Sequence, residues 1–144
     1  MKKLLLIIVV VALAYGYVQE SGIPIHSLPI LSGGSESTLQ TAYRNRESNL
    51  QVKGEGTVIR ILPDDIEGSR HQKFMLKTTS GQTLLVAHNI DLAPKINEIK
   101  NGDLIQFHGE YEWNSKGGVI HWTHHDPNNM HTDGWLKHEG RTYQ

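Results

Sequence analysis

The stretch DLIQFHGEYEW, residues 103–113, alternates apolar and polar side chains. Ile105, Phe107 and Tyr111 share one parity, and Gln106, His108 and Glu110 share the other. A period of two is the signature of a strand buried on one face, because successive side chains point to opposite sides of the sheet. GVIHWTH, residues 118–124, carries the same signal with Ile120 and Trp122. Asn114 to Gly118 lies between the two runs and supplies a turn.

Pairing these runs as a hairpin is tightly constrained, since a slip of one residue would turn every core side chain to water. A turn centred on Ser115-Lys116 sets Tyr111 opposite Ile120, Gly109 opposite Trp122 and Phe107 opposite His124. On the outer face Glu110 then meets His121, His108 meets Thr123, and Gln106 meets His125, with facing Cβ atoms about 4.5–5.5 Å apart.

Upstream, GTVIRIL (56–62), HQKFMLKT (71–78) and QTLLVAHNI (82–90) are also rich in branched and aromatic residues. Pro63-Asp64-Asp65, Ser80-Gly81 and Asn101-Gly102-Asp103 punctuate them. Five short strands predict a small closed or nearly closed barrel, mainly β. DLAPKINEIKNGD (91–103) stands where an oligonucleotide/oligosaccharide-binding (OB) barrel carries the segment between its third and fourth strands. An SH3-like barrel is the alternative. STLQTAYRNRESNLQ (37–51) predicts a short helix with Leu39, Ala42 and Tyr43 on one face, capped by Ser37 or Thr38.

MKKLLLIIVVVALAYGYV (1–18) has two lysines, an apolar run and a small-x-small pattern at Ala12-Leu13-Ala14, as an export signal does. The run from Leu4 is short of the roughly 20 residues that span a bilayer comfortably, yet it can serve as an anchor. Residues 19–37, with two prolines and a Gly-Gly, read as a flexible linker, which leaves 38–144 as the barrel domain with a C-terminal tail. The expected location is outside the cytoplasm: periplasmic, secreted or anchored, with membrane contact only through the first segment.

The 144 residues include no cysteine, so neither a disulfide framework nor a cysteine nucleophile is available. No G-x-S-x-G elbow occurs, and Gly54-Glu55-Gly56 leads into a strand rather than a helix, which excludes a phosphate-cradling loop. Lys and Arg total 14 against 15 Asp and Glu; without Lys2 and Lys3 the balance is 12 to 15, a formal −3. A general polyanion-binding surface is therefore disfavoured at neutral pH. Nine histidines make the charge depend on pH.

The outer face of the last hairpin is the candidate site. Imidazole and carboxylate are common ligands of zinc and similar divalent ions. His108, His121 and His125 are the predicted metal ligands, with Glu110 and His121 as catalytic candidates. His71 and His88 on neighbouring strands, Trp113 and Asp126 are candidate ligand-binding residues, and His131 lies within reach of the rim. The spacing matches no standard zinc motif, and a solvated polar face is the competing reading. His124 is expected inside, as a hydrogen-bonded core histidine. Asp64, Asp65 and Glu67 can hold a hard cation, although an ordinary turn uses the same residues.

Taken together, HQKF, AHNIDLAP, GEYEWN, GGVIHWTHHDP and GWLKHEGRTYQ resemble a family of small exported bacterial proteins catalogued as a domain of unknown function. The resemblance runs from about Gly54 to the C-terminus. It implies a signal or anchor and a compact β-rich domain, and it carries over no catalytic residue. A second likeness, to staphylococcal-type thermonucleases, rests on GTVIRILPDD and GQTLLVAHNIDLAP. There Asp64, Asp65 and Asp91 have counterparts, but that family's arginine and glutamate pattern has no clear match.

Two functions follow as expectations. One is metal-assisted hydrolysis of a phosphodiester. The other is a non-catalytic envelope module or adaptor that binds a metal, small ligand, glycan, nucleic acid or protein.

Overall fold

The computed structural model describes residues 33–144; the expected leader and most of the expected linker lie outside the described residues. The helix α1 (Gly33–Asn45) is followed by β1 (Leu50–Ile61), β2 (His71–Lys77), β3 (Thr83–Asn89), β4 (Leu104–Glu112), β5 (Val119–His121), β6 (Trp135–His138) and β7 (Arg141–Tyr143). Helix α1 starts ahead of the expected cap. Ser37 and Thr38 donate their hydroxyls back to the Gly34 carbonyl at 2.9 Å, within the helix rather than at its start. Among the described residues no helix is long and apolar enough to cross a membrane.

Strands β1 to β5 close into an OB-like barrel in the order β1-β2-β3-β5-β4, with β4 returning to β1. The β3–β5 pairing is parallel, as the OB arrangement requires and an antiparallel SH3-like meander does not. Strand β1 is long enough to serve both sides of the closure: residues 50–57 pair with β4 and residues 57–61 with β2. A register shift between Val58 and Arg60 bends it between the two partners. The Gly54-Glu55-Gly56 segment lies inside this strand, not at its start. Gly54 faces Phe107, and a Cβ there would sit 2.7 Å from the phenyl ring. The missing side chain is what lets the ring lie across the strand.

Alternation fills the interior as expected. Phe74, Leu76, Leu84, Val86, Ile105, Phe107, Tyr111 and Ile120 are fully buried, each such side chain contributing about 1.5–3 kcal/mol. Leu39 and Ala42 of α1 join the same core. The helix is held further by Trp113, whose indole N–H donates to the Tyr43 carbonyl at 3.1 Å.

Residues 91–103 form turns that close one barrel end, with Ile96 buried as a plug. Gln72 fastens the plug through two hydrogen bonds with the Ile96 backbone, at 2.8 and 3.0 Å. His88 fastens it again, and its chemistry is dictated by its partners. The Pro94 carbonyl, 3.1 Å from Nε2, can only accept, so Nε2 carries the proton. Nδ1, 2.8 Å from the Thr123 hydroxyl, is then the acceptor. Burial, aided by the neighbouring His124 and His71, pushes the His88 pKa down to about 4 and keeps the ring neutral.

The C-terminal tail, whose place the sequence left open, supplies β6 and β7. Strand β6 pairs with the first half of β4, and β7 pairs with β6, bringing Leu136 and Tyr143 into the core.

The depressed His88 pKa means that the unfolded chain binds this proton first as pH falls. Its stabilising contribution is full above pH 6.5 and declines by about 3 kcal/mol as pH approaches 4. Urea unfolding of the wild type and His88→Asn at pH 7.5, 5.5 and 4.2 tests this. The gap between the two should narrow on acidification, and a gap that stays constant would exclude it.

Candidate metal centre

Two glycines decide where the site's walls stand. The expected pairs Tyr111–Ile120 and Glu110–His121 form, but the hairpin ends at His121. Trp122 adopts φ 53° and turns the chain off the sheet, a conformation that is costly for a bulky residue. The chain returns at Trp135, where β6 takes the edge of β4 that β5 has left. His108 therefore pairs with Trp135, and Gln106 with Lys137. The expected pairs His108–Thr123 and Gln106–His125 do not form.

The two ends of the 122–134 loop are squeezed against β4. A Cβ on Gly109 would lie 2.5 Å from the His121 carbonyl oxygen and 2.9 Å from the Thr123 methyl. One on Gly134 would lie 1.9 Å from the Trp122 carbonyl oxygen. Gly109 thus faces the His121 backbone and Thr123 rather than the Trp122 expected opposite it. Thr123 takes the buried place expected of Trp122, and Trp122 stands half-buried on the outside.

On that outside four side chains gather. Glu110 and Glu112 project from β4 two residues apart, and His121 projects from the facing strand. His121 Nε2 lies 3.6 Å from Glu110 Oε1 and 3.7 Å from Glu112 Oε1. It is shielded from solvent and has no hydrogen-bond partner. One ligand atom from each of the three residues falls within 4.8 Å of the others.

The fourth, His131, arrives from the loop. Its Nε2 is 2.6 Å from Glu110 Oε2, and its Nδ1 is 2.8 Å from the Thr132 carbonyl. A carbonyl accepts only, and an ionised carboxylate accepts too, so both contacts favour the doubly protonated ring. Partial burial works against that charge, but the bonds to Glu110 and Thr132 outweigh it and raise its pKa. The Trp122 indole stacks on the ring at 4.2 Å, 8° from parallel, a contact that favours the cation. His121 goes the other way, because desolvation exceeds the pull of Glu110 and Glu112 and lowers its pKa. One site thus shifts its two imidazoles in opposite directions.

The loop is built to present His131. Asp126 accepts the backbone N–H groups of Asn128, Met130 and His131 at 2.7–3.0 Å. Asp133 accepts from the Asp126 backbone at 2.8 Å and holds His125 Nδ1 at 2.7 Å.

Of the residues the sequence proposed, Glu110 and His121 lie in the cluster. His108, on the same strand face, is 3.1 Å from the Gln51 amide nitrogen and beside Trp135. His125 is exposed on the loop, held by Asp133. His88 and Asp126 have all their partners inside the fold, and Trp113 holds α1. His71 lies at the start of β2, its backbone paired with Asp65 across the β1–β2 turn. His124 is buried as expected, its Nδ1 2.8 Å from the His125 carbonyl.

The acidic turn performs turn chemistry. Asp64 pairs with Lys95, and Asp65 accepts the Glu67 N–H at 3.2 Å. Asp91 receives the Arg70 guanidinium at 2.6 Å.

Glu112 was not among the proposed residues. Alternation already put it on the Glu110 face, diagonal to His121. His131, expected only within reach of the rim, is brought onto Glu110 by the fold of the loop.

The chain belongs to the family described as protein of unknown function (DUF3465), which matches residues 23–144. No curated protein matches it.

Replacing Glu110 with Gln removes the carboxylate that holds His131 charged, so the His131 pKa should fall. Imidazole NMR titration of the wild type and Glu110→Gln measures it. An unchanged His131 pKa would separate the two residues.

Proposed function

We propose that this chain is an exported OB-like module that binds one divalent cation through Glu110, Glu112 and His121, with zinc favoured. One observation carries the reading: the shielded His121 Nε2, without a hydrogen-bond partner, facing one oxygen from each of two carboxylates at 3.6 and 3.7 Å. Those separations are long for hydrogen bonds. They are close to the edge of about 3.4 Å that a tetrahedron with bonds near 2.1 Å requires. An imidazole in the set favours zinc over calcium or magnesium, which prefer oxygen-only shells. His131 acts from behind: by holding Glu110 Oε2 it turns Oε1 towards His121, as outer-shell groups orient metal-binding carboxylates.

Three protein ligands leave a fourth position for water or an anionic ligand, the arrangement suited to metal-assisted hydrolysis of a phosphodiester. In that reading Glu110 or His121 is catalytic through the ion. A second observation supports binding without turnover. Met75, Leu85 and Val119 follow one another across β2, β3 and β5 on the outer face and lead towards His121. OB barrels take extended ligands along strands two and three, which fits a small ligand, glycan, nucleic acid or protein partner.

Protein purified without an affinity tag, analysed for metals and titrated with zinc by calorimetry, should bind one equivalent. His121→Ala and Glu110→Gln/Glu112→Gln should abolish it. The lowered His121 pKa delays proton competition, so zinc affinity should begin to fall only below about pH 6.5. Protein that neither carries nor takes up metal would overturn the proposal. Zinc-dependent cleavage of DNA, RNA or a chromogenic phosphodiester, lost in His121→Ala, selects the enzyme; stoichiometric binding without product selects the module.

A further inference from the structure

Away from the metal centre, a cavity of about 460 Å³ opens between α1, the β2–β3 turn and the β4–β5 turn. Its size is that of a small-molecule site. We propose that it binds a small anionic sugar, a sugar acid or sugar phosphate, independently of the cation site.

Charge sets the first requirement. Arg44 and Lys116 line the cavity and no carboxylate does. Among the described residues neither forms an ion pair with a carboxylate, so both charges remain free to meet an anion. Glu36, the nearby acid, is engaged by the Ser80 backbone N–H at 2.6 Å. In a chain of net negative charge, two unpaired cations facing one hollow mark a place for an anion.

The rest of the wall suits a hydroxyl-bearing molecule. Tyr43 offers an aromatic surface, and Gln40 and Thr83 offer polar groups. Gln82 is oriented by its neighbour: the Gly117 carbonyl accepts from its Nε2 at 2.9 Å, which leaves Oε1 buried without a donor. That oxygen is shielded from solvent, so a ligand hydroxyl supplies its donor only where the Gln82 side chain turns towards the cavity.

The frame is firm. The same Gly117 carbonyl accepts the Tyr111 hydroxyl at 3.1 Å, and the Tyr43 hydroxyl donates to the Ser115 carbonyl at 3.2 Å. The helix and the β4–β5 turn are thereby tied, so the cavity does not have to be assembled by the ligand.

Nitrogen-15 NMR of the protein, in the form its host cell leaves it, reads the outcome. Glucuronate and glucose 6-phosphate should shift the Gly81, Lys116 and Gly117 amides saturably, and neutral glucose should bind at least about tenfold more weakly. Arg44→Gln/Lys116→Gln should weaken both anions by a similar factor without changing the thermal midpoint or zinc uptake, since both side chains are exposed. The proposal fails if neither sugar anion shifts those amides, if the shifts survive the double substitution, or if inorganic phosphate or glucose binds as well as the sugar anions.

Discussion

Strand β4 has one edge to offer beyond β1, and two strands divide it. Strand β5 takes the end near Tyr111 and β6 takes the end near Phe107. Neither can extend into the other's share, so the chain between them must leave the sheet. Gly109 and Gly134 allow that exit at backbone contact distance, where any Cβ would collide with a carbonyl. The closure of the barrel, the position of the 122–134 loop and the gathering of the candidate ligands all depend on this division.

The electrostatics follow from it. Because the loop returns over β4, His131 meets Glu110 while His121 remains on the sheet. A carboxylate, a carbonyl and a stacked indole surround the first imidazole and favour its charged form. The second is desolvated between two carboxylates that approach without bonding it. Opposite pKa shifts of two histidines around one glutamate are therefore a consequence of topology.

Part of the candidate site was legible beforehand. Parity on DLIQFHGEYEW and a turn near Ser115 were enough to set Glu110 against His121, and the same parity exposes Glu112 beside them. His108 and His125 were grouped with them by extending a regular hairpin past Trp122. That extension failed because a regular register presumes that no other strand competes for the edge. The competitor, WLKH at 135–138, is too short for its alternation to stand out, and its burial comes from pairing with β4. Trp113, His88 and Asp126 have chemistry-bearing side chains, yet each is taken up by holding the helix, the barrel plug or the loop.

By itself the sequence determined the quantities that depend on neighbours along the chain. These are the five alternating runs, the turns between them, the mainly β OB-like barrel, the buried face of α1 and the Glu110–His121 pairing. Side-chain period and turn chemistry are local, so they can be read without knowing what lies across the barrel. Tertiary structure alone decided which strand occupies the rest of β4, where His131 lands, and that the helix and two turns enclose a basic cavity. Those outcomes arise from competition between segments distant in sequence for the same backbone hydrogen bonds and the same space, and no local pattern encodes which of them wins.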